Sequence, residues 1–244
     1  MDLGIGYNLY AGRKFSTTAP AESPLQQAVI AAWDMQEESG PLLPAKGGIE
    51  IPAFNSPGFT ASGPAEGISA RNIVRASSQY FQYADTGGVF SLEGHVIRAW
   101  AKWTLLDIAF PMAFGKSTDL GVGNVDDEWS LFSQDTGGIR FRTRNASNSS
   151  FETNVNFAGL VLDTWYRIEI DGITSRIRIH DLGGVERVNA AIVVPPTFGT
   201  SPMNIGGPGS GGFTGDQFGF VVLDRALTTE ERTADLTPRL FSQL

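Results

Sequence analysis

The sequence predicts an all-β chain: two antiparallel sheets packed as a jelly-roll sandwich, with one short C-terminal helix and an N-terminal arm. Strand-length segments alternate apolar and polar side chains, as strands with one buried face do. Clusters of Gly, Asn, Asp and Pro separate these segments, in a chain with 29 glycines and 13 prolines. The length of 244 residues fits one such sandwich without a second core.

The elements follow one another along the chain. Residues 1–27 are rich in small and polar residues without a sustained period, so we expect an anchoring arm before a domain at 28–244. Thr228 and Glu231 form a capping box, which predicts a short helix ending before Pro238. An irregular stretch separates the first strand from the others and runs to about residue 70. Strands are predicted at 28–35, 72–83, 95–104, 128–134, 138–144, 149–157, 165–172, 175–182, 190–194, 202–207 and 216–224.

Composition excludes several classes of function. The chain has no cysteine, which excludes disulfides, thiolate metal sites and a cysteine nucleophile. Its net charge of −8 argues against nucleic acid as a partner. The start lacks a basic segment followed by an apolar run, so we expect no signal peptide and no membrane segment. The expected location is a virion made in the host cytoplasm, or otherwise the cytoplasm itself.

Three passages resemble the laminin-G-like domains of the concanavalin A-like superfamily. They are VIAAWDMQEESGP, then IVRASSQYFQYADTGGVFSLEGHVIRAWAKW, and finally LDTWYRIEIDG through SRIRIHDLGG to MNIGGPGSGGFTGDQFGFVVLDRALTTEE. The resemblance spans about residues 28–236 and implies the jelly-roll fold. Because IHDLGG and FGFVVLD depart from the family pattern, its sugar- and metal-binding residues are not transferred to this chain.

Arginine-rich strand faces are the most distinctive candidate site. Cations and a tryptophan alternate with apolar residues in VIRAWAKW, GIRFRTR, WYRIEID and SRIRIHD. If these strands share a sheet, its outer face is solvated, docks a partner subunit, or binds a glycan through stacking and arginine hydrogen bonds. Trp129, after an acidic run, is a candidate sugar platform. The candidate glycan- or partner-binding residues are Arg98, Trp100, Trp129, Arg140, Arg142, Arg144, Arg167, Arg176 and Arg178.

Two further chemistries, hydrolysis and calcium binding, have candidate residues in the sequence. Glu169 and Asp171 project to one side of a strand, about 7 Å apart, as in a glycosidase carboxylate pair. The third acid that glucanases of this superfamily carry on that strand is missing, and we assign no catalytic residues. Calcium is the candidate cofactor, because oxygen ligands cluster in one loop at Asp119, Asn124, Asp126 and Asp127.

The sequence therefore predicts a non-enzymatic, lectin-like recognition or structural protein. We expect a virion surface subunit of a bacterial virus, such as a decoration, spike or fibre protein, that binds glycans or partner subunits. Its expected partners are copies of itself, as a homotrimer, capsid or tail proteins through residues 1–27, and a polysaccharide. The alternatives are a stand-alone lectin and a divergent glycoside hydrolase.

Overall fold

The computed structural model describes residues 21–106, 111–117, 127–134, 136–144, 151–193, 198–208 and 212–244, without the side chains of 151–154 and 156. Its strands, in chain order, are β1 Val29–Trp33, β2 Ala53–Phe54, β3 Gly58–Thr60, β4 Ala70–Ile73, β5 Tyr80–Tyr83, β6 Val96–Trp103, β7 Met112–Lys116, β8 Trp129–Ser133, β9 Gly138–Arg144, β10 Phe151–Ala158, β11 Trp165–Asp171, β12 Arg176–Asp181, β13 Glu186–Ala191, β14 Met203–Ile205 and β15 Gly215–Leu223. Two short helices, α1 Pro24–Ala28 and α2 Thr229–Ala234, lie near the ends of the described chain.

The strands form two antiparallel sheets, which confirms the predicted sandwich. The first sheet has the order β13-β12-β11-β6-β15-β4-β3, and β1 also pairs with β15. The second sheet has the order β10-β9-β8-β7-β14-β5-β2. Consecutive strands repeatedly lie in different sheets: β4 belongs to the first and β5 to the second. The segment 72–83, predicted as one bent strand or a strand pair, therefore bridges the two layers.

The core lies between the sheets and follows the predicted alternation. Ile168, Ile170, Ile177 and Ile179 of the first sheet are fully buried against the second. Aromatic residues complete this core: the ring of Trp33 stacks on that of Phe90 with centroids 5.4 Å apart. The same register turns the polar residues of β11 and β12 to the outer face.

A second layer covers the outer face of the first sheet. Residues 224–244, including α2, cross this face, and α1 packs beside them. A small apolar cluster joins the two, with Leu25 of α1 and Leu227 both buried. Helix α2 has the predicted capping box, in which Glu231 N–H donates to the Thr228 hydroxyl at 3.1 Å. Within the described residues, neither helix has the length and hydropathy that crossing a membrane requires.

Some elements differ from the sequence-based expectation. Strand β13 begins four residues before the predicted segment 190–194 and overlaps it only at 190–191, because the strand starts directly after the turn that follows β12. Strand β7 was not predicted, since PMAFGK lacks alternation and is buried throughout. Helix α1 lies partly within the predicted arm, and residues 1–20 of that arm lie outside the described residues.

Candidate functional site

The outer face of the first sheet holds five of the predicted binding residues: Arg98, Trp100, Arg167, Arg176 and Arg178. Strands β6, β11 and β12 are neighbours, so the predicted shared face exists. Arg98 and Arg178 both lie opposite Glu169, and Arg176 lies opposite Asp171. Each arginine of this group thus has an acid nearby, and the cross-strand charges are matched.

The residues 224–244 close over part of this face through an arginine–carboxylate network of Arg98, Arg167, Glu169, Arg178, Arg232 and Asp235. The Asp235 carboxylate, 1% exposed, accepts from Arg98 Nη1 at 2.5 Å and from Arg167 Nε and Nη2 at 2.8 and 2.6 Å. Glu169 accepts from Arg178 Nη1 at 2.8 Å and from Arg232 Nε at 3.0 Å. The network therefore fastens the C-terminal segment to the sheet.

Of the residues predicted to bind a glycan or a partner, Arg98, Arg167 and Trp100 have side chains that are buried in this structure. Trp100 packs in an apolar cluster with Trp165 and Phe218 beneath the C-terminal segment. Alternation shows which side chains share a face, but it does not show that a later segment covers that face. Arg176 and Arg178 are half-buried; Arg176 Nε donates to Asn189 Oδ1 at 2.9 Å.

The carboxylate pair considered for hydrolysis is part of the same covered surface. Glu169 and Asp171 are fully buried, and Asp171 Oδ1 accepts from the Thr174 backbone N–H at 2.8 Å. Burial alone would raise the pKa of Glu169, but Arg167 and Arg232 outweigh it and hold that pKa below its ordinary value. A general acid needs a raised pKa and access to substrate, and Glu169 has neither.

Trp129, predicted as a candidate sugar platform, lies in the core. Its side chain points inward and is fully buried, and its indole Nε1 donates to the Phe90 carbonyl at 3.0 Å. The acidic run before Trp129 suggested a loop tip, yet this tryptophan begins β8 and belongs to the core.

The outer face of the second sheet carries the remaining predicted arginines. Ile139 and Phe141 of β9 are core residues, so Arg140, Arg142 and Arg144 project to the opposite side. Arg140 and Arg142 are half-buried, while Arg144 is 7% exposed. Strand β9 lies in a different sheet from β6, β11 and β12, so the predicted arginines divide between two separate faces.

A row of polar residues crosses this second face in cross-strand register. Gln82 lies opposite Asn204, Asn204 opposite Gly115, Gly115 opposite Ser130, and Ser130 opposite Arg142. At about 4.8 Å per strand, the row spans about 19 Å. Its two amides are fixed to each other, since Gln82 Nε2 donates to Asn204 Oδ1 at 2.8 Å. We call this row the polar band.

One feature in the middle of the polar band favours a ligand. Gly115 allows β7 and β8 to approach closely, since a Cβ there would lie 2.8 Å from Ser130 Cα and from the Trp129 carbonyl oxygen. The Ser130 hydroxyl is buried and has no hydrogen-bond partner among the described residues. Since buried polar groups are nearly always paired, a water or a ligand group is expected to complete this hydroxyl.

An aromatic pair lies beside the polar band at the β2–β5 edge. The rings of Phe54 and Tyr80 stack with centroids 4.7 Å apart and planes 2° apart, and Phe54 is 38% exposed. Asn55 Nδ2 donates to the Ser78 carbonyl at 2.8 Å, which ties the turn after β2 to the turn before β5. Asn55 and Ser78 both adopt left-handed φ values, of 54° and 50°. This tie holds the aromatic pair in place.

A buried charged cluster lies below the β7–β8 end of the second sheet. Lys116 Nζ is fully buried and lies 2.7 Å from Asp85 Oδ2 and 4.0 Å from Glu128 Oε2. The carboxylate of Glu128 accepts from the Ser91 hydroxyl at 2.8 Å. Burial is the main cause that raises the pKa of Glu128 to about 7. These groups are engaged with one another and form an internal support for the strand ends.

The predicted calcium loop lies mostly beyond the described residues, which exclude Asp119, Asn124 and Asp126. Asp127 is described; it is 2% exposed, and its Oδ1 accepts from the Ser201 hydroxyl at 2.8 Å. Among the described residues, no group of three His, Asp or Glu side chains is arranged to hold a metal. Calcium binding stays a prediction.

Sequence reasoning missed the amide and aromatic parts of the second face. Tyr80, Gln82 and Asn204 alternate with core residues in their strands, and that alternation was a usable signal. Phe54 gave none, because its two-residue strand is too short to show a period.

No protein-family model matches this sequence, and no curated protein does. Among solved structures, domain 4 of AbnA, an extracellular GH43 arabinanase from Geobacillus stearothermophilus in complex with arabinotriose, is similar with a TM-score of 0.57 at 14% identity, covering 86% of this chain and 98% of that one. The receptor-binding domain of botulinum neurotoxin mosaic serotype C/D has a TM-score of 0.58 at 11% identity and covers 86% of this chain; the match takes in 51% of that chain.

A carbohydrate-binding module gives a third likeness. The CBM40 of the Ruminococcus gnavus IT-sialidase has a TM-score of 0.50 at 16% identity, covering 68% of this chain and 96% of that one. At such low identities these likenesses establish the fold alone. The chain has the two-sheet sandwich architecture that carbohydrate-binding domains use.

Proposed function

We propose that this chain is a carbohydrate-binding protein that holds an oligosaccharide on the outer face of its second sheet. The observation that carries the proposal is the polar band, with Gln82, Asn204, Ser130 and Arg142 in register across five strands. Amide, hydroxyl and guanidinium groups are the donors and acceptors that sugar hydroxyls need. The similarity of the sandwich to carbohydrate-binding domains supports the same proposal.

The aromatic pair supplies an apolar surface beside these polar groups. Sugar rings have apolar C–H faces, which pack against aromatic rings while the hydroxyls form hydrogen bonds at the edges. Ligand sites commonly combine aromatic surface with a few fixed polar groups. Because Phe54 and Tyr80 are held by paired turns, little ordering entropy is lost when a ligand packs against them.

A non-catalytic role is part of the proposal. The acids considered for hydrolysis, Glu169 and Asp171, lie on the outer face of the first sheet, away from the polar band. The band contains amides, a hydroxyl and an arginine. Gln82 and Arg142 are its half-buried members and would contact a ligand, whereas the side chains of Asn204 and Ser130 are fully buried.

Binding is tested by a glycan array followed by affinity electrophoresis on the polysaccharides that score. We expect Tyr80→Ala and Gln82→Ala each to weaken retention about fivefold or more, since each removes a contact worth roughly 1 kcal/mol or more. Asn189→Ala, on the exposed edge of the first sheet, is the matched control and should bind as wild type does. If Tyr80→Ala and Gln82→Ala leave retention as unchanged as the Asn189→Ala control does, the site lies elsewhere and the proposal for this face is refuted.

The wider setting remains a separate proposal drawn from the sequence. It holds that the chain is a surface subunit of a bacterial virus, forms a homotrimer, and attaches to capsid or tail proteins through residues 1–27. Light scattering of the full chain measures the oligomeric state, and deletion of residues 1–27 tests attachment to purified particles. A monomer that is absent from every particle preparation overturns this proposal and leaves the carbohydrate-binding proposal unaffected.

A further inference from the structure

An amine and two carboxyl groups are buried together at one end of the second sheet. Lys116 ends β7, Asp85 follows β5, and Glu128 immediately precedes β8. Lys116 Nζ lies 2.7 Å from Asp85 Oδ2 and 4.0 Å from Glu128 Oε2, and none of the three side chains is exposed. Apolar residues of similar volume often stabilise a fold as well as a buried ion pair does. This arrangement therefore points to chemistry between the groups.

The backbone holds the Asp85 carboxyl group in a reactive position. Its Oδ1 accepts from the Val89 N–H at 2.9 Å and its Oδ2 from the Phe90 N–H at 3.0 Å. Fixed donors of this kind stabilise negative charge that develops on a carboxyl oxygen during attack. Because Oδ2 contacts Lys116 Nζ, the amine is close to the separation of about 3–3.5 Å from the carboxyl carbon at which positioned groups react.

Glu128 is oriented by its own hydrogen bonds. Its Oε1 accepts from the Ser91 hydroxyl at 2.8 Å and from the Leu92 N–H at 2.6 Å. These two bonds fix the carboxyl group so that Oε2 is the oxygen nearer to Lys116. A carboxyl group held beside reacting atoms can both give and take a proton.

Aromatic side chains separate these groups from solvent. The centre of the Phe198 ring lies 4.8 Å from Lys116 Nζ, and the same ring packs on Gly88, where a Cβ would meet it at 2.6 Å. On the core side, Trp129 and Phe90 are fully buried. Exclusion of water disfavours charged groups, so it favours transfer of a proton from the ammonium to the carboxylate. The resulting amine and carboxylic acid are the forms that condense.

We propose that Lys116 and Asp85 condense to an isopeptide bond, with Glu128 relaying the proton. The Lys116 nitrogen attacks the Asp85 carboxyl carbon, so an Nζ–Cγ bond forms and one carbon–oxygen bond breaks. Glu128 gives a proton to the departing hydroxyl and takes one from the nitrogen, which returns it to its starting state. The products are one amide and one water, and no oxidant, reductant or cofactor is consumed. The bond would tie β5 to β7 across β14, which lies between them.

Intact-mass spectrometry of the denatured full chain tests this inference. We expect the wild-type chain to weigh one water molecule less than its sequence does. A protease digest should yield a branched peptide that joins the segments containing Lys116 and Asp85. The pair Lys102 and Asp216 is the internal comparison: its Nζ–Oδ2 distance is also 2.7 Å, but Lys102 is 16% exposed and, in the described part of the chain, has no second carboxylate within 4.0 Å. Both should be recovered in unlinked peptides.

Variants assign the reaction to these groups. Lys116→Arg and Asp85→Ala should each retain the full sequence mass. Glu128→Gln keeps the size of the side chain but cannot relay a proton, so cross-linking should slow about 100-fold or more. Lys102→Arg is the matched control and should cross-link as wild type does. Thermal unfolding checks that each variant is folded.

The outcomes are independent of carbohydrate binding, which the glycan array tests separately. A wild-type chain at its full sequence mass, with no branched peptide, overturns the inference, and this result needs no variant to fold. A loss of water that persists in Lys116→Arg arises elsewhere in the chain and also overturns it. Cross-linking of Glu128→Gln at the wild-type rate overturns the assignment of the proton relay to Glu128.

Discussion

Replacement of Asp235 by asparagine tests the reasoning about the C-terminal segment. Asp235 is 1% exposed and accepts hydrogen bonds from both Arg98 and Arg167, whose side chains are also buried. Asp235→Asn keeps the size of the side chain and removes the charge, so it leaves buried guanidinium groups with less compensation. Breaking one side of a buried ion pair costs about 3–5 kcal/mol. We expect a loss of that size in the free energy of unfolding.

Urea unfolding followed by tryptophan fluorescence measures this loss. For a chain of this length, about 3–5 kcal/mol corresponds to a fall of roughly 6–20 °C in the melting temperature. Asp224→Asn is the matched control, because Asp224 is exposed just after β15, and it should change stability by less than about 0.5 kcal/mol. If Asp235→Asn unfolds at the same urea concentration as Asp224→Asn, the network does not fasten the segment and the argument is wrong.

A double-mutant cycle sharpens the result. Arg98→Met removes one of the two cations that Asp235 compensates. Because contacting residues are coupled, the double variant Arg98→Met/Asp235→Asn should lose less free energy of unfolding than the sum of the losses in the two single variants. Strict additivity would mean that the two side chains do not interact in solution.

Three further predictions concern pH and packing. Burial raises the pKa of Glu128 from 4.5 to about 7. Between these two pH values the folded chain therefore holds a proton that the unfolded chain releases. The free energy of unfolding of wild type should accordingly fall relative to that of Glu128→Gln as pH rises from 4.5 to 7. Urea unfolding across that range checks this, and parallel curves would contradict it. The Arg225 side chain, with the capping hydrogen bonds, lowers the pKa of Glu231 from 4.5 to about 2. Glu231→Gln should therefore reduce the free energy of unfolding by about 1 kcal/mol at neutral pH. The value is modest because Arg225 is 38% exposed and solvent screens the pair. That cost is present above pH 4.5 and should shrink as pH falls towards 2, whereas a cost independent of pH would show that charge is not its source. Gly115→Ala should destabilise by about 1–3 kcal/mol, since its Cβ meets backbone atoms at 2.8 Å, while Gly87→Ala has open space and should not; equal melting temperatures would show that β7 and β8 can separate at no cost.

The strands and the sandwich followed from alternation because each sheet has one face on a shared core. Ile139 and Phe141 turn inward as their spacing predicts, and Arg140 and Arg142 turn outward. The capping box at Thr228 likewise predicted α2 from two residues. A similar signal at Ser23, with Pro24 and Gln26 following, was present and identifies α1 in retrospect.

The assignment of strands to sheets was beyond local patterns. GIRFRTR and SRIRIHD have the same alternation, yet β9 and β12 lie in different sheets, and only long-range pairing separates them. The burial of Trp100 and Arg167 depends on residues 224–244, which are distant in sequence. The polar band is likewise assembled from five strands and becomes visible when Asn204 is placed between Gln82 and Gly115.

The two ends of the described domain meet on one side of the molecule. The Ser23 hydroxyl donates to the carbonyl of Leu244 at 3.0 Å, and Gln26 Nε2 donates to the Phe241 carbonyl at 3.1 Å. Both segments lie over the first sheet. A tether coupled at either end would therefore attach to the molecule on the side opposite the second sheet. Many copies displayed on one support would then point their second sheets outward in a common orientation, and weak single contacts with a repetitive polymer would add up to firm adhesion.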